Sequence, residues 1–128
     1  IGYNYRMPNI NAALGCAQLE NLDRYVADKR ETAACYAEFF KGKEDITFFT
    51  EPADCKSNYW LNAVVLKDKA AQLDFLEYTN DHGVMTRPVW ELMNRLPMFE
   101  HCETDGLENT EWLADRVVNI PSSVRLDK

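Results

Sequence analysis

The densest chemistry in the chain sits at its start, in Ile1-Gly2-Tyr3-Asn4-Tyr5-Arg6-Met7-Pro8, a polar, aromatic, glycine-led stretch running into Asn11-Ala12-Ala13-Leu14-Gly15. Such a string reads as a ligand loop. The Asn4 amide can donate to an anionic oxygen without adding charge, Gly2 lets the backbone come close, and the planar Arg6 guanidinium suits paired oxygens. Each residue also has a plainer reading. An Asn before a helix is commonly a turn or cap residue, Arg6 can serve a structural salt bridge, and Tyr3 and Tyr5 can pack beside the helix start.

A further candidate is Arg87, which directly precedes Pro88 at the end of a β-prone run, where a side chain can face a cleft. The other reactive residue types form no constellation. His82 and His101 are far apart and lack an acidic partner at metal-ligand or triad spacing, so no metal site is predicted. Cys16, Cys35, Cys55 and Cys102 show no C-x-x-C pairing and are expected to be buried reduced thiols. The lysines Lys29, Lys41, Lys43, Lys56, Lys67, Lys69 and Lys128 are expected to be solvated charges, and Trp90, Met93, Met98 and Phe99 read as core packing before a substrate pocket.

With 128 residues and 46% apolar content the chain suits one domain. Its formal charge of −7 repels polyphosphate backbones and argues against nucleic acid or an anionic membrane as the main partner. No signal peptide is recognisable and no apolar run approaches the ~20 residues of a membrane span, so a cytoplasmic location is the simplest expectation. The chain opens on Ile1 rather than methionine, and it is expected to be a piece of a longer protein.

These residues must be positioned by the elements that follow. Helical spacing runs from Asn9 through Ala12, Ala13, Cys16, Ala17, Leu19, Leu22, Val26, Ala33, Ala37 and Phe40, predicting a long helix over 9–41, or two joined near Asn21, ended by Gly42. Asp23, Arg24, Asp28, Lys29, Arg30 and Glu31 read as its solvated face. Because Ala12-Ala13-Leu14 and Cys16-Ala17 are apolar around more than one face, the helix calls for a partner surface. Beyond it, 46–128 reads as an α+β unit. Strands are predicted at Ile46–Phe49 and Asn58–Leu66, the latter buried on both faces and central in its sheet. Asp68 can cap a helix ending at His82-Gly83, Val84-Met85-Thr86 makes a short strand ending at Arg87-Pro88, and a helical turn covers Glu91 to Asn94. A last helix spans Glu108 to Val117, capped by Asn109 or Thr110, and Ile120-Pro121-Ser122-Ser123 ends the ordered pattern.

The run Gly2-Tyr3-Asn4-Tyr5-Arg6-Met7-Pro8-Asn9-Ile10-Asn11-Ala12-Ala13-Leu14-Gly15-Cys16-Ala17-Gln18-Leu19 resembles a signature of the DegT/DnrJ/StrS pyridoxal-phosphate-dependent sugar-nucleotide aminotransferases. Gly83-Val84-Met85-Thr86-Arg87-Pro88 and the stretch from Leu113-Ala114-Asp115-Arg116 to Asn119-Ile120-Pro121-Ser122-Ser123 resemble the carboxy-terminal domain of that family in the same order. The resemblance implies the small α+β domain of a fold type I aminotransferase, with a long amino-terminal helix and a small, mainly antiparallel sheet covered by helices. It implies that pyridoxal 5′-phosphate is the cofactor and that the cofactor lysine lies in a large domain absent from this chain, which would then hold no catalytic residue. By the same resemblance the loop 1–8 reaches across a homodimer, Asn4 and Arg6 bind cofactor, and Tyr3, Tyr5 and Arg87 bind substrate. Family members often carry a histidine where this chain has Asn94.

The implied reaction transfers an amino group, with glutamate as donor, to a nucleotide-linked keto-deoxysugar. The finer likeness, through Thr86-Arg87-Pro88-Val89-Trp90 and Leu96-Pro97-Met98-Phe99, is to enzymes making 4-amino sugars of the legionaminic-acid type, whose substrate would be a UDP-4-keto-6-deoxy-N-acetylhexosamine. Two alternatives stay open. One is a dehydratase of the same family, and the other a noncatalytic dimerisation or ligand-binding module.

Overall fold

The computed structural model describes residues 5–125. Two helices open it, α1 (Asn9–Leu19) and α2 (Leu22–Phe40). They are separated where the Asn21 side-chain amide donates to the Ala17 carbonyl at 3.0 Å, competing with the backbone ladder as Asn does. Of the two alternatives, one long helix or two joined near Asn21, the chain adopts the second. Helix α2 stops at Gly42, whose φ of 75° is open to glycine at little cost.

Strands β1 (Ile46–Phe48), β2 (Asn62–Leu66), β3 (Arg87–Pro88) and β4 (Val117–Ile120) form one sheet in the order β1-β2-β4-β3. Every neighbouring pair is antiparallel, with Phe48 opposite Val64 and Val64 opposite Val118. Side chains on one face, Phe48, Val64, Leu66, Val118 and Ile120, make the core together with Ala33 of α2. Tyr36, Ala37 and Phe40 of α2 pack against them, as do Ala71, Phe75 and Leu76 of α3 (Lys69–Asp81). The second half of the amino-terminal helical region thus belongs to the core of the sheet.

Helix α3 begins as its sequence indicates. The Asp68 carboxylate accepts from the Ala71 amide at 2.8 Å, and the helix ends at His82 and Gly83. Gln72, fully buried, donates from its amide to the carbonyls of Ala114 and Val117 at 2.9 and 2.8 Å. That stitches α3 to the end of α4 (Glu108–Ala114) and the start of β4. Asn62 is buried as deeply, at 1% exposure, yet neither atom of its amide has a hydrogen-bond partner among the described residues. Nothing in the structure offsets that cost.

Several expectations are corrected. The last helix, expected to run to Val117, ends at Ala114, and Val117–Ile120 is a strand, because pairing with β2 outweighs a helical spacing that continues from Leu113 and Ala114. Asn58 to Leu61 is not strand. Burial in β2 alternates rather than covering both faces, with Ala63 and Val65 only half-buried, although β2 is central as expected. Val84 to Thr86 is irregular and only Arg87–Pro88 pairs, while the short helical turn is a 3₁₀ segment at Met93–Arg95. Helix α4 is preceded by Leu107 at φ 55°, not capped by Asn109 or Thr110. All four cysteines are exposed, since Cys16 lies on a helix that buries no residue, Cys35 on the outer side of α2, and Cys55 and Cys102 in loops.

The charged side of α2 is also not simply solvated. Asp28, at 8% exposure, accepts from the backbone amide and guanidinium of Arg125 at 3.0 and 3.2 Å. Lys29 and Arg30 reach other loops. These three consecutive residues fasten two segments to one helix, the stretch between β1 and β2 and the chain that follows β4.

Candidate functional site

An open cleft of about 830 Å³ lies beside the β4–β3 edge of the sheet, walled by Trp60, Leu61, Met85, Arg87 and Trp90 and floored by the 119–123 segment. Arg87 is placed there by strand register. It stands opposite Asn119, so both rise from the sheet face that does not carry Val118 and the core. Asn119 in turn donates from its amide to the Pro88 carbonyl at 3.4 Å, and Arg87 rests one guanidinium nitrogen 3.5 Å from the Met85 sulfur. A sulfur is a weak acceptor, which leaves most of the fork's donors directed elsewhere.

Trp90, 74% exposed, is a cleft wall and not core. Met93 and Met98 are exposed and Phe99 half-buried, so the aromatic and methionine stripe expected in the core is not there. Asn94 and Phe99 border a smaller hollow with Cys102, away from Arg87.

Lys29 also lines the cleft, which contradicts its expected place on a solvated face. Its ammonium donates to the carbonyls of Ser122 and Trp60 at 2.5 and 3.4 Å. Arg30 pairs bidentately with Glu51, at 2.6 and 2.9 Å, and donates to the Ser57 carbonyl at 2.6 Å. The Arg30 hydrogen bonds, helped by the Ser57 amide, hold the Glu51 carboxyl down to about 2. The same partnership raises the guanidinium of Arg30.

Of the residues singled out in the sequence, Tyr3 and Asn4 lie outside the described residues. Tyr5, 92% exposed, and Arg6 precede α1 and are not among the residues lining the cleft. The structure therefore brings Arg87, Trp60, Trp90 and Lys29 together, and of these only Arg87 was legible as a site residue. Trp60 and Lys29 were missed. The aromatic run through Trp60 reads as a buried strand, and a lysine on a helix carries no local sign of the loops it meets.

A family model for the DegT/DnrJ/EryC1/StrS aminotransferases matches residues 1–128. The chain belongs to that family. Among curated relatives of this DegT-family chain, GDP-perosamine synthase of Escherichia coli O157:H7 is 32% identical over 124 residues, which is 95% of this chain and 33% of the relative. Helicobacter pylori PseC, an aminotransferase involved in the biosynthesis of pseudoaminic acid, superposes with a TM-score of 0.88 at 22% identity, over 99% of this chain and 35% of PseC. E. coli GDP-4-keto-6-deoxy-D-mannose-3-dehydratase, solved with bound hydrated PLP, gives a TM-score of 0.80 at 20% identity, over 97% of this chain and 33% of that one. The two structural likenesses establish the fold. The DegT-family chain spans about a third of the length of the curated relatives it matches.

Pyridoxal 5′-phosphate is the coenzyme of the family. The cleft does not fit as the coenzyme's own seat. Among the described residues no carboxylate lines it to pair the pyridinium nitrogen, and the lysine that lines it, Lys29, is committed to two carbonyl oxygens. Among the described residues no group of His, Cys, Asp and Glu could hold a metal ion, and no helix is long and apolar enough to cross a membrane.

Proposed function

We propose that this chain is the carboxy-terminal domain, residues 1–128, of a pyridoxal-phosphate-dependent aminotransferase that aminates a nucleotide-linked keto-deoxysugar with glutamate as donor. The observation that carries this reading is the cleft: a guanidinium at Arg87 sharing one cleft with the indoles of Trp60 and Trp90 suits an anionic, ring-bearing ligand such as a nucleoside diphosphate sugar. Relatives named for GDP-perosamine synthesis support the substrate class. Within it, a UDP-4-keto-6-deoxy-N-acetylhexosamine is the finer assignment, resting on the 86–90 and 96–99 stretches.

Asn4 and Arg6 are assigned to the cofactor of a partner subunit in a homodimer, and Tyr3 and Tyr5 to the substrate side. The exposed Ile10, Leu14 and Leu19 of α1 support a helix that docks on another surface. The coenzyme, when bound, supplies the electron sink for the amino-group exchange. This domain supplies orientation and charge: Arg87 neutralises the diphosphate and the tryptophans exclude water from one side of it. The catalytic acid–base group belongs outside the chain, and the assembled enzyme is assigned to the cytoplasm.

The test uses the full-length protein with coenzyme, glutamate and a nucleotide-linked 4-keto-6-deoxysugar. Glutamate-dependent release of 2-oxoglutarate with an amino-sugar product is expected. Arg87→Ala should raise the KM for the sugar by about tenfold, as loss of a charge-assisted contact does. A product lacking nitrogen would assign the dehydratase reaction instead, and no turnover of any nucleotide sugar would reject the reading.

A further inference from the structure

Among the described lysines, Lys29 is the one that lines the cleft. The two carbonyls it holds belong to different parts of the cleft: residues 58–61 lead into β2 and carry the Trp60 wall, whereas 121–123 leave β4, the strand that pairs with Arg87, and form the floor. One ammonium, with three donors on a flexible stem, thus spans the gap between them. A second tie runs beside it, since the Ser122 hydroxyl accepts from the backbone N–H of Asn62 at 2.7 Å.

The turn that Lys29 reaches is built from its base. Arg30 holds Glu51 and the Ser57 carbonyl, the Ser57 amide returns to Glu51, and the Ser57 hydroxyl accepts from the Tyr59 amide at 2.9 Å. The Tyr59 phenol accepts from the Glu51 amide at 3.2 Å, and the Arg30 guanidinium lies 5.6 Å from its ring centre. Tyr59 itself has φ 46°, a left-handed conformation that a non-glycine residue keeps only where its surroundings enforce it. So constrained, the turn delivers the next residue, Trp60, to the cleft.

We propose that Lys29 is a positioning residue, setting the separation between the Trp60 wall and the Arg87 side of the cleft and thereby the affinity for the nucleotide-linked substrate. The assignment rests on the reading of the cleft given under the proposed function. Without the ammonium the Trp60 wall and the β4-derived floor lose their common donor, and binding must order them at the substrate's expense. That loss falls equally on ground state and transition state, so it belongs in KM and not in kcat.

In the full-length holoenzyme, Lys29→Met keeps the length of the stem and removes the donors, while Lys29→Arg restores donors. Lys29→Met should raise the KM for the nucleotide sugar by about tenfold, with kcat within about twofold and the glutamate KM unchanged, and Lys29→Arg should recover most of the loss. An unchanged sugar KM overturns the proposal, and so does a joint fall of kcat, both affinities and melting temperature, which marks a merely structural lysine. Should Lys29→Met fail to fold, Glu51→Gln loosens the same turn from its base and must show the same selective rise in sugar KM, or the proposal falls. Arg87→Ala separates the two levels. If it too leaves the sugar KM unchanged, the cleft reading itself is wrong; if it alone raises KM, only the role of Lys29 is lost.

Discussion

Helices α1 and α2 follow one another almost without interruption, yet they use their side chains in opposite ways. The first is the more apolar and buries none of its residues, leaving Ile10 75% exposed. The second is dense in charge, yet it places Ala33 in the core and fastens loops with Asp28, Lys29 and Arg30. Burial follows what a helix lies against and not its own composition. A charged residue with a fixed backbone carbonyl or carboxylate as partner orders a loop that has few apolar side chains of its own.

The strongest test of that contrast is a pair of identical substitutions. Ala33→Leu should destabilise the 1–128 chain by about 1–3 kcal/mol through overpacking, whereas Ala13→Leu on α1 should stay within about 0.5 kcal/mol. Denaturant unfolding of both variants checks this, and equal effects would erase the distinction between the helices. A sharper probe of the loop fastenings is pH. Glu51 is held at about 2 against its ordinary 4.5, so its contribution is present above 4.5 and lost as pH falls through about 2. The melting-temperature gap between wild type and Glu51→Gln should therefore be constant above pH 4.5 and close as the acid limit is approached; a gap that ignores pH would remove Arg30–Glu51 as the fastening. The smallest effect belongs to the exposed pair at the end of α2, Glu38 and the following Lys41, 3.5 Å apart, where Glu38→Ala should change unfolding free energy by less than about 0.5 kcal/mol. A larger loss would mean that charge on this helix stabilises wherever it sits, and not only where it meets a loop.

How much was legible varies by element. The break at Asn21, the stop at Gly42, the Asp68 cap and the end of α3 at Gly83 are each decided within about four residues of chain, by a side chain or a backbone freedom that the sequence displays. Strand β4 was not legible, because Val117 to Ile120 continue a helical spacing and become a strand only by pairing with a partner more than fifty positions earlier. The site divides likewise. Arg87 before Pro88 announces a strand end, but the spacing of Trp90 reads as core, and its 74% exposure among the described residues is what makes it a wall.

By itself, the amino-acid order determined family membership, the helix boundaries set by caps and glycines, and the net negative charge that argues against nucleic acid, since these depend on neighbouring residues or on composition alone. Tertiary structure decided which face of each helix is covered, where the cysteines lie, and that Lys29 spans two cleft segments. Those outcomes require groups far apart in the chain to meet, and no local pattern encodes the meeting.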